Sequence, residues 1–219
     1  MTAIYADVWD ESSVGPALEG SDAVINTVGH YVERGNATFE AIHGHGAMHV
    51  AWAAAQAGVE RLMHISGIGA DAASASTYVR ARAIGERLVR ERFPEATILR
   101  PSVLFGPDDA FLNRLVAMAR VMPVLPLFGS GETRLQPVYV GDVAEAVAKV
   151  LIAPSAKGQV YELGALPKRP ISRDQVILMK QDNVVAPQAA TFTDLGIVPT
   201  SIEESLPTYL GRRPPEPAA

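Results

Sequence analysis

Short apolar runs alternate with longer amphipathic stretches along the chain, a pattern that predicts strands joined by helices. The apolar runs predict strands at 3–8, 23–26, 61–66, 97–100 and 159–163. The amphipathic stretches predict helices at 11–18, 38–57, 78–92, 111–120 and 142–152. Gly58 follows the long Ala-rich helix in the position of a C-cap. Strands that alternate with crossover helices are typical of an α/β fold with a doubly wound parallel sheet.

The composition excludes several classes of protein. The chain has 219 residues, with 19 basic and 24 acidic side chains and a net charge of −5, whereas a nucleic-acid binder normally shows a basic stripe. The absence of Cys excludes a disulfide scaffold, a thiolate nucleophile and a Cys-ligated zinc site. No stretch approaches the roughly 20 apolar residues of a membrane span, and the N-terminus lacks a signal-peptide pattern. We therefore predict a cytoplasmic protein with no nucleic-acid partner and no membrane span.

The pattern of elements weakens after Gly164. We predict one α/β domain over residues 1–165, a reduced C-terminal lobe over 166–210 and a disordered Pro-rich tail over 211–219.

Three polar residues are candidates for catalysis. Ser66 ends a predicted parallel strand, where open α/β sheets bind their ligands. Tyr78 opens a helix, and Arg82, four residues later, lies on the same helical face. A nearby cation is expected to lower the pKa of a phenol from about 10 toward neutrality, which prepares it as a general acid or base. The structural alternative is that Tyr78 is a helix-start aromatic residue packed on its neighbours.

Other charged residues carry simpler interpretations. Arg80 lies off the face of Tyr78 and is expected to be exposed. Asp142 precedes an apolar helical stretch and is expected to be its N-cap. His45 and His49 share a helix face and His43 lies nearby, but the spacing defines no acidic or further ligand, so we expect no metal site.

Four stretches in order carry a resemblance to a known family, namely HISGIGA (64–70), STYVRAR (76–82), LRPSVLFGP (99–107) and PVYVGDVAEAV (137–147). They resemble the extended short-chain dehydrogenase/reductase superfamily, with its members similar to NAD-dependent epimerases and dehydratases. Within it they are most similar to the atypical branch around the nucleotide-binding accessory subunit of respiratory complex I. The resemblance implies a Rossmann-like, NAD(P)-binding domain with a small C-terminal substrate lobe.

The resemblance also implies roles for individual residues. Ser66, Tyr78 and Arg82 correspond to the catalytic positions, at which the family uses Ser, Tyr and Lys. Arg82 keeps the charge that holds the nicotinamide ribose, but its guanidinium does not deprotonate in proteins, which puts proton relay at this position in question.

The resemblance places a cofactor, NAD or NADP, across the strand ends. The loop after the second predicted strand would pass the adenosine and ribose, Asp7 would contact the adenine, and backbone after the fourth strand would line the nicotinamide. A turn or helix-cap role is an equally good interpretation of Asp7. The implied cofactor-binding residues are Asp7, Val8, Asn26, Thr27, Val28, Gly29, Ile65, Tyr78, Arg82, Pro101, Ser102 and Val103.

Two functions are therefore open. The first is an oxidoreductase or epimerase acting on an unknown small molecule, such as a nucleotide-sugar or a quinone-like substrate; Ser66 and Tyr78 favour it. The second is a non-catalytic nucleotide-binding accessory or assembly protein, peripherally associated with a respiratory complex; Arg82 and the branch resemblance favour it.

The family's first strand, Gly-rich turn and helix have no counterpart before Ala3. We expect the complete protein to be longer at its N-terminus, because the strand at 23–26 would otherwise have an open edge. We also expect residues to be omitted after Gly164, where the family begins its substrate lobe.

Overall fold

The computed structural model of the protein describes residues 2–107, 109, 113, 134–165, 182–202 and 204–205. The predicted helix at 111–120 (apart from Asn113), most of the predicted C-terminal lobe and the Pro-rich tail lie outside these residues. The domain boundaries at 165 and 210 therefore stay predictions.

Parallel strands form the centre of the fold. The strands are β1 (Ala23–Asn26), β2 (Arg61–Ile65), β3 (Thr97–Pro101), β4 (Leu104–Phe105), β5 (Val138–Tyr139) and β6 (Val160–Leu163). The main sheet has the order β1-β2-β3-β6, and β4 pairs with β5 in a separate parallel pair. β1 runs parallel to β2, and β2 to β3. The predicted Rossmann-like parallel sheet is thus confirmed.

The connecting segments are mostly helical. The helices are α1 (Glu11–Leu18), a π-helical segment (Glu40–Gly46), α2 (Ala47–Gln56), α3 (Thr77–Arg92) and α4 (Val140–Ile152), with 3-10 turns at Pro154–Ala156 and Thr193–Leu195. Local signals explain the ends of these helices. Ser76 Oγ accepts a hydrogen bond from the Val79 N–H at the start of α3, and Gly58 takes a φ of 70° directly after the C-cap of α2.

The chain divides into two compact units. The first comprises Met1–Arg100 and Val147–Tyr161, and the second comprises Pro101–Ala146 and Glu162–Ala219. In the first unit, small and branched apolar side chains of α1, β1, α2, β2, α3 and β3 form one core cluster. Its fully buried members are Ala51, Ala54, Ala96 and Ile98.

The strand predicted at residues 3–8 is not formed. A strand is stable only when its backbone N–H and C=O groups pair with a neighbour, and residues 2–7 have no strand partner among the described residues. Ile4 and Tyr5 are 59% and 83% exposed, so this segment buries no apolar face either. The segment ends in a turn in which the Asp10 N–H donates to the Asp7 carbonyl, and Asp10 then caps α1.

The helix predicted over 38–57 is divided into two parts. Its first part winds as a π-helix over Glu40–Gly46, and only Ala47–Gln56 is α-helical. Two glycines in the π-helical part lower its α-helical propensity and allow close neighbours. At Gly46, an added Cβ would lie 2.8 Å from Val8 Cγ2.

Asp142 is not an N-cap. Helix α4 begins two residues earlier, at Val140, so Asp142 lies in its first turn. Its buried carboxylate accepts hydrogen bonds from the backbone N–H of Thr200 at 2.5 Å and from the Thr200 hydroxyl at 2.8 Å. The side chain therefore holds the segment around Thr200 within the second unit.

Two contacts position helix α3 in the first unit. Glu86 accepts two hydrogen bonds from Arg100 of β3, from Nε at 2.9 Å and from Nη2 at 2.7 Å. On another part of the helix, Gly85 packs directly on the backbone of the π-helical segment, where an added Cβ would lie 1.9 Å from the His43 carbonyl oxygen. Only glycine permits this approach.

We predict that Gly85→Ala lowers the free energy of unfolding by about 3 kcal/mol, because the new methyl group overlaps the His43 carbonyl and one element must move. Chemical denaturation of the purified protein measures this change. Gly15→Ala in α1 is the matched control, since an added Cβ there meets nothing within 4 Å, and it should be neutral or stabilising by up to about 1 kcal/mol. Equal stability of the Gly85→Ala variant and the wild type would contradict this packing.

Candidate functional site

The site begins where β1 and β2 end side by side. The parallel register places Asn26 opposite His64, and the Asn26 Nδ2 lies 3.2 Å from the His64 Nδ1. Burial, together with the charges of Arg82 and His43, lowers the pKa of His64 to about 3. The imidazole is therefore neutral, and its Nδ1 can accept a hydrogen bond from the Asn26 amide. The Asn26 Oδ1 in turn accepts from the Val28 N–H at 3.1 Å, which sets the direction of the chain after β1.

The chain after β1 packs on His43 of the π-helical segment. Gly29 lies so close to His43 that an added Cβ would be 2.8 Å from its Cε1. The His43 Nε2 lies 2.9 Å from the His30 carbonyl oxygen, to which it can donate. Burial lowers the pKa of His43 to about 4, against the effect of this hydrogen bond. His43 is thus a neutral, buried side chain that supports the loop.

Three rings, those of Tyr31, Phe39 and His43, lie around the Tyr78 ring at the start of α3. The ring centroid of Tyr78 lies 5.2 Å from that of Phe39 and 5.3 Å from that of His43, both in edge-to-face geometry. The Tyr31 ring lies 5.6 Å from Tyr78 and is tilted by 35°. Such edge-to-face pairs are favourable for aromatic rings. Sequence reasoning missed Phe39 and weighed His43 only as a metal ligand, although their spacing of four residues repeats that of Tyr78 and Arg82.

Arg82 lies on the face of the Tyr78 ring. Its Cζ is 4.7 Å from the ring centroid, the geometry of a cation–π contact. Arg82 also packs against Gly67, because a Cβ added to Gly67 would lie 2.8 Å from the Arg82 Nη1. The predicted pair of Tyr78 and Arg82 is therefore in contact, through the ring face.

The expected fall in the pKa of Tyr78 is wrong in direction. Burial of the phenol raises its pKa above the ordinary value of 10.0, and the Arg82 charge only partly opposes this. Tyr31 contributes in the same direction as burial. Removing the hydroxyl from water disfavours the phenolate more than the guanidinium favours it. The phenol is protonated at neutral pH.

Two buried polar atoms of the candidate site, one of them in the pair of Tyr78 and Arg82, have no hydrogen-bond partner in the described part of the protein. They are the Oγ of Ser66, a residue only 2% exposed, and the Nε of Arg82. The Ser66 backbone is held in place, because its N–H donates to the Leu99 carbonyl at 2.7 Å. Buried polar groups are normally paired, so unpaired ones indicate a position where a ligand can supply the partner.

The remaining candidate residues have separate positions. Thr27 and Val28 are exposed in the loop after β1, and Ile65 is the last residue of β2. The Asp7 carboxylate accepts a hydrogen bond from the Trp9 N–H, which is the turn role that the sequence left open, and Val8 packs at the edge of the core. Their roles toward a cofactor stay predictions.

Pro101, Ser102 and Val103 belong to the second unit. There the Ser102 N–H donates to the Leu163 carbonyl at 2.9 Å, and its hydroxyl bonds to the Asn183 side chain. The Val103 carbonyl accepts from the Val138 N–H at 2.9 Å. Their backbone atoms are therefore partly engaged within that unit.

Arg80 differs from its expected exposure. It is half-buried, and its Nη1 donates to the Ser74 carbonyl at 2.6 Å. This bond ties the loop between β2 and α3 to the helix.

A cavity of about 480 Å³ lies elsewhere on the first unit, lined by Ala83, Glu86, Arg87, Arg90, Glu91, Arg100 and Val160. Its charged groups mostly satisfy one another, since Arg100 pairs with Glu86 and Arg87 with Glu91. It shares none of the candidate catalytic residues, and we do not assign it as the ligand site. Across the described part of the chain, no cluster of three or more His, Cys, Asp or Glu residues could hold a metal ion. Nor does any helix there have the length and apolar character to cross a membrane.

Comparison with known proteins connects this geometry to a family. The family model described as "NAD dependent epimerase/dehydratase family" matches residues 2–164. The chain is 38% identical to the mouse mitochondrial NADH dehydrogenase [ubiquinone] 1 alpha subcomplex subunit 9 over 74% of its length, which covers 43% of that subunit. It is 32% identical to the ceramide reductase of Caulobacter vibrioides over 64% of its length, which covers 44% of the reductase. The chain thus spans less than half the length of these two relatives.

Two further comparisons cover nearly the whole chain. The mitochondrial NADH-ubiquinone oxidoreductase 40 kDa subunit of Neurospora crassa is 31% identical over 94% of this chain and 65% of the subunit. That match runs over 248 aligned positions, more than the length of this chain, so the fungal subunit has residues within it that this chain lacks. Among solved structures, MoeE5 in complex with UDP-glucose and NAD superposes with a TM-score of 0.72 at 20% identity, over 94% of this chain and 83% of MoeE5. This last likeness concerns the fold.

We predict that the protein loses stability as the pH falls from about 6.5 toward 4. Above pH 6.5 His43 and His64 are neutral in both the folded and the unfolded chain; below it, only the unfolded chain takes up their protons, because their folded pKa values are lowered to about 4 and about 3. Each histidine should contribute up to about 1.4 kcal/mol per pH unit in this window. Denaturant unfolding at a series of pH values measures the slope.

The control uses a histidine of the same segment that is exposed. His43→Gln should reduce the slope by up to one proton, whereas His45→Gln should leave it unchanged. Equal slopes for the wild type and the His43→Gln variant would contradict the neutral, buried state of His43.

Proposed function

The chain belongs to the NAD dependent epimerase/dehydratase family, and from this premise we propose that it binds NAD or NADP beside Ser66, Tyr78 and Arg82 and uses this site to hold the cofactor rather than to transfer protons. The observation that carries the proposal is the position of the Arg82 guanidinium, 4.7 Å over the face of the Tyr78 ring. A guanidinium in this position keeps a permanent positive charge beside the ring, and its N–H groups can donate hydrogen bonds to ribose hydroxyls.

The residues of the first unit fit the ribose and nicotinamide half of such a cofactor. The unpartnered Ser66 Oγ and Arg82 Nε can both form hydrogen bonds with a polar ligand. Gly29 lets the backbone of the loop after β1 pack closely on His43, which holds this loop beside the proposed site. When bound, the nicotinamide ring would supply the ability to accept or donate a hydride.

The electrostatics of Tyr78 favour a site that holds the cofactor over a site that catalyses proton transfer. A general acid or base works best with a pKa near the working pH, and the pKa of Tyr78 is instead raised by burial. Arg82 cannot deprotonate, so it offers no proton relay to this phenol. The names of several relatives support the same proposal, since the mouse and Neurospora proteins are subunits of NADH dehydrogenase or oxidoreductase assemblies. We accordingly propose that this protein associates peripherally with a respiratory complex.

A second function has its own observation. By the family resemblance, Ser66, Tyr78 and Arg82 would stand at the catalytic positions of a dehydrogenase or epimerase, and the Caulobacter relative is named as a reductase. MoeE5 is described in complex with a nucleotide-sugar. The alternative proposal is therefore an oxidoreductase or epimerase acting on a small molecule, with Tyr78 donating its proton. The cytoplasmic location also stays a proposal. The names of the mouse and Neurospora subunits, by contrast, place those two proteins in mitochondria.

We predict that Arg82→Ala weakens the binding of NADH or NADPH by about 1.5–3 kcal/mol, roughly ten- to hundredfold, because it removes the charged hydrogen bonds to the cofactor. Isothermal titration calorimetry measures both affinities. Arg82→Lys keeps the charge and should leave binding similar to that of the wild type. Arg92→Ala, at the exposed end of the same helix, is the matched control and should bind normally. Unchanged affinity in the Arg82→Ala variant would refute the proposed site.

We predict that Tyr78→Phe leaves cofactor affinity nearly unchanged, since it keeps the ring on which Arg82 lies. Under the holding function it also leaves the rate of cofactor oxidation unchanged with every nucleotide-sugar and quinone tested. A loss of 10²–10⁴-fold, roughly that of a missing general acid, would overturn the holding function and establish the enzymatic alternative. A rise in turnover in Arg82→Lys would point the same way. Stopped-flow absorbance of NADH distinguishes these outcomes.

A further inference from the structure

The loop after β1 has a defined conformation, which includes an isolated antiparallel bridge between Arg34 and Ala37. We call residues 30–39 the Tyr31 loop. Arg34 and Ala37 exchange backbone hydrogen bonds of 3.2 and 2.9 Å around Gly35, which has a φ of 56°. The His30 Nε2 lies 2.9 Å from the Ala37 carbonyl oxygen, and Glu33 accepts from the Phe39 N–H at 2.8 Å. The loop is thus shaped by its own hydrogen bonds, which involve residues other than Tyr31.

Tyr31 stands at the border of the candidate site. It is 77% exposed, yet its ring centroid lies only 5.6 Å from that of Tyr78. Phe39 and His43 meet the Tyr78 ring edge to face, and Arg82 lies over its face. Of these neighbours of Tyr78, His43 is buried and Phe39 and Arg82 are half-buried, whereas Tyr31 is mostly exposed to solvent.

We propose that Tyr31 is a specificity-determining residue, which forms the outer wall of the site and stacks on a flat ring of the bound ligand. This inference rests on the proposed function, because the ligand is taken to bind beside Ser66 and Arg82. The ring has one of two sources, the nicotinamide of the cofactor or a ring of the second substrate. An exposed aromatic side chain held by a preformed loop offers such a ring a large, flat surface at a low cost in conformational entropy.

The site's chemistry agrees with this role. The unpartnered Ser66 Oγ and Arg82 Nε can bind the polar groups of a ligand. Tyr31 adds an aromatic surface beside Tyr78, so that the proposed site combines polar positioning with ring stacking. A ligand that carries a flat ring next to a hydroxyl-rich or carbonyl group would use both.

The first experiment compares two probes by calorimetry. NADH contains the nicotinamide ring, and ADP-ribose is the same molecule without it. If Tyr31 stacks on the nicotinamide, Tyr31→Ala should weaken NADH binding roughly three- to tenfold, the range expected for one aromatic pair, and leave ADP-ribose binding unchanged. Tyr31→Phe keeps the ring and should bind NADH like the wild type. Val32→Ala, in the same loop, controls for disturbance of the backbone and should also be normal.

The second experiment uses a water-soluble benzoquinone, with and without saturating NADH. A loss of quinone affinity in Tyr31→Ala, with normal NADH binding, would assign the stacked ring to the second substrate. If Tyr31→Ala weakens neither NADH nor quinone, or if Val32→Ala weakens them equally, the proposal for Tyr31 is wrong. If the wild type binds neither NADH nor ADP-ribose, the proposed function fails, and the quinone titration without cofactor then decides whether Tyr31 contacts a flat ring.

Discussion

The contact between Gly85 and the carbonyl of His43 is the constraint on which the candidate site depends. It allows α3 to lie directly on the π-helical segment, closer than any side chain would permit. Because Tyr78 and His43 belong to these two elements, this approach brings their rings to 5.3 Å. The ion pair of Glu86 with Arg100 then holds the same helix over β3. Helix α3 therefore carries Tyr78 and Arg82 in a fixed position relative to the ends of β1 and β2.

Burial dominates the electrostatics of this site. It keeps His43, His64 and Tyr78 neutral, since each charged form would lose its hydration without a sufficient partner. Arg82 keeps its charge, because a guanidinium stays protonated in proteins, and this charge makes protonation of the two histidines still less favourable. The site thus joins one permanent cation to a set of neutral aromatic and imidazole rings. Such a surface suits the binding of a polar ligand with a flat ring better than the repeated transfer of a proton.

The family relationship is compatible with both proposed functions, cofactor holding and enzymatic activity, because the shared fold does not decide between them. Relatives at 31–38% identity include subunits of NADH dehydrogenase assemblies and a ceramide reductase. The proposed holding function rests on local features, namely Arg82, which stands where the resembled family uses lysine, and the buried phenol of Tyr78. Under that proposal, both features keep the capacity to bind a cofactor and reduce the capacity to move protons.

The sequence by itself determined the elements whose signals are local. Apolar runs identified β1, β2 and β3, the spacing of four residues placed Tyr78 and Arg82 on one helical face, and Ser66 was located at a strand end. Tertiary structure decided the rest. Residues 3–8 form no strand because pairing needs a neighbour, which no local pattern supplies. The pKa of Tyr78 rises because folding buries the phenol among groups distant in sequence, and desolvation depends on the whole environment rather than on the nearest cation.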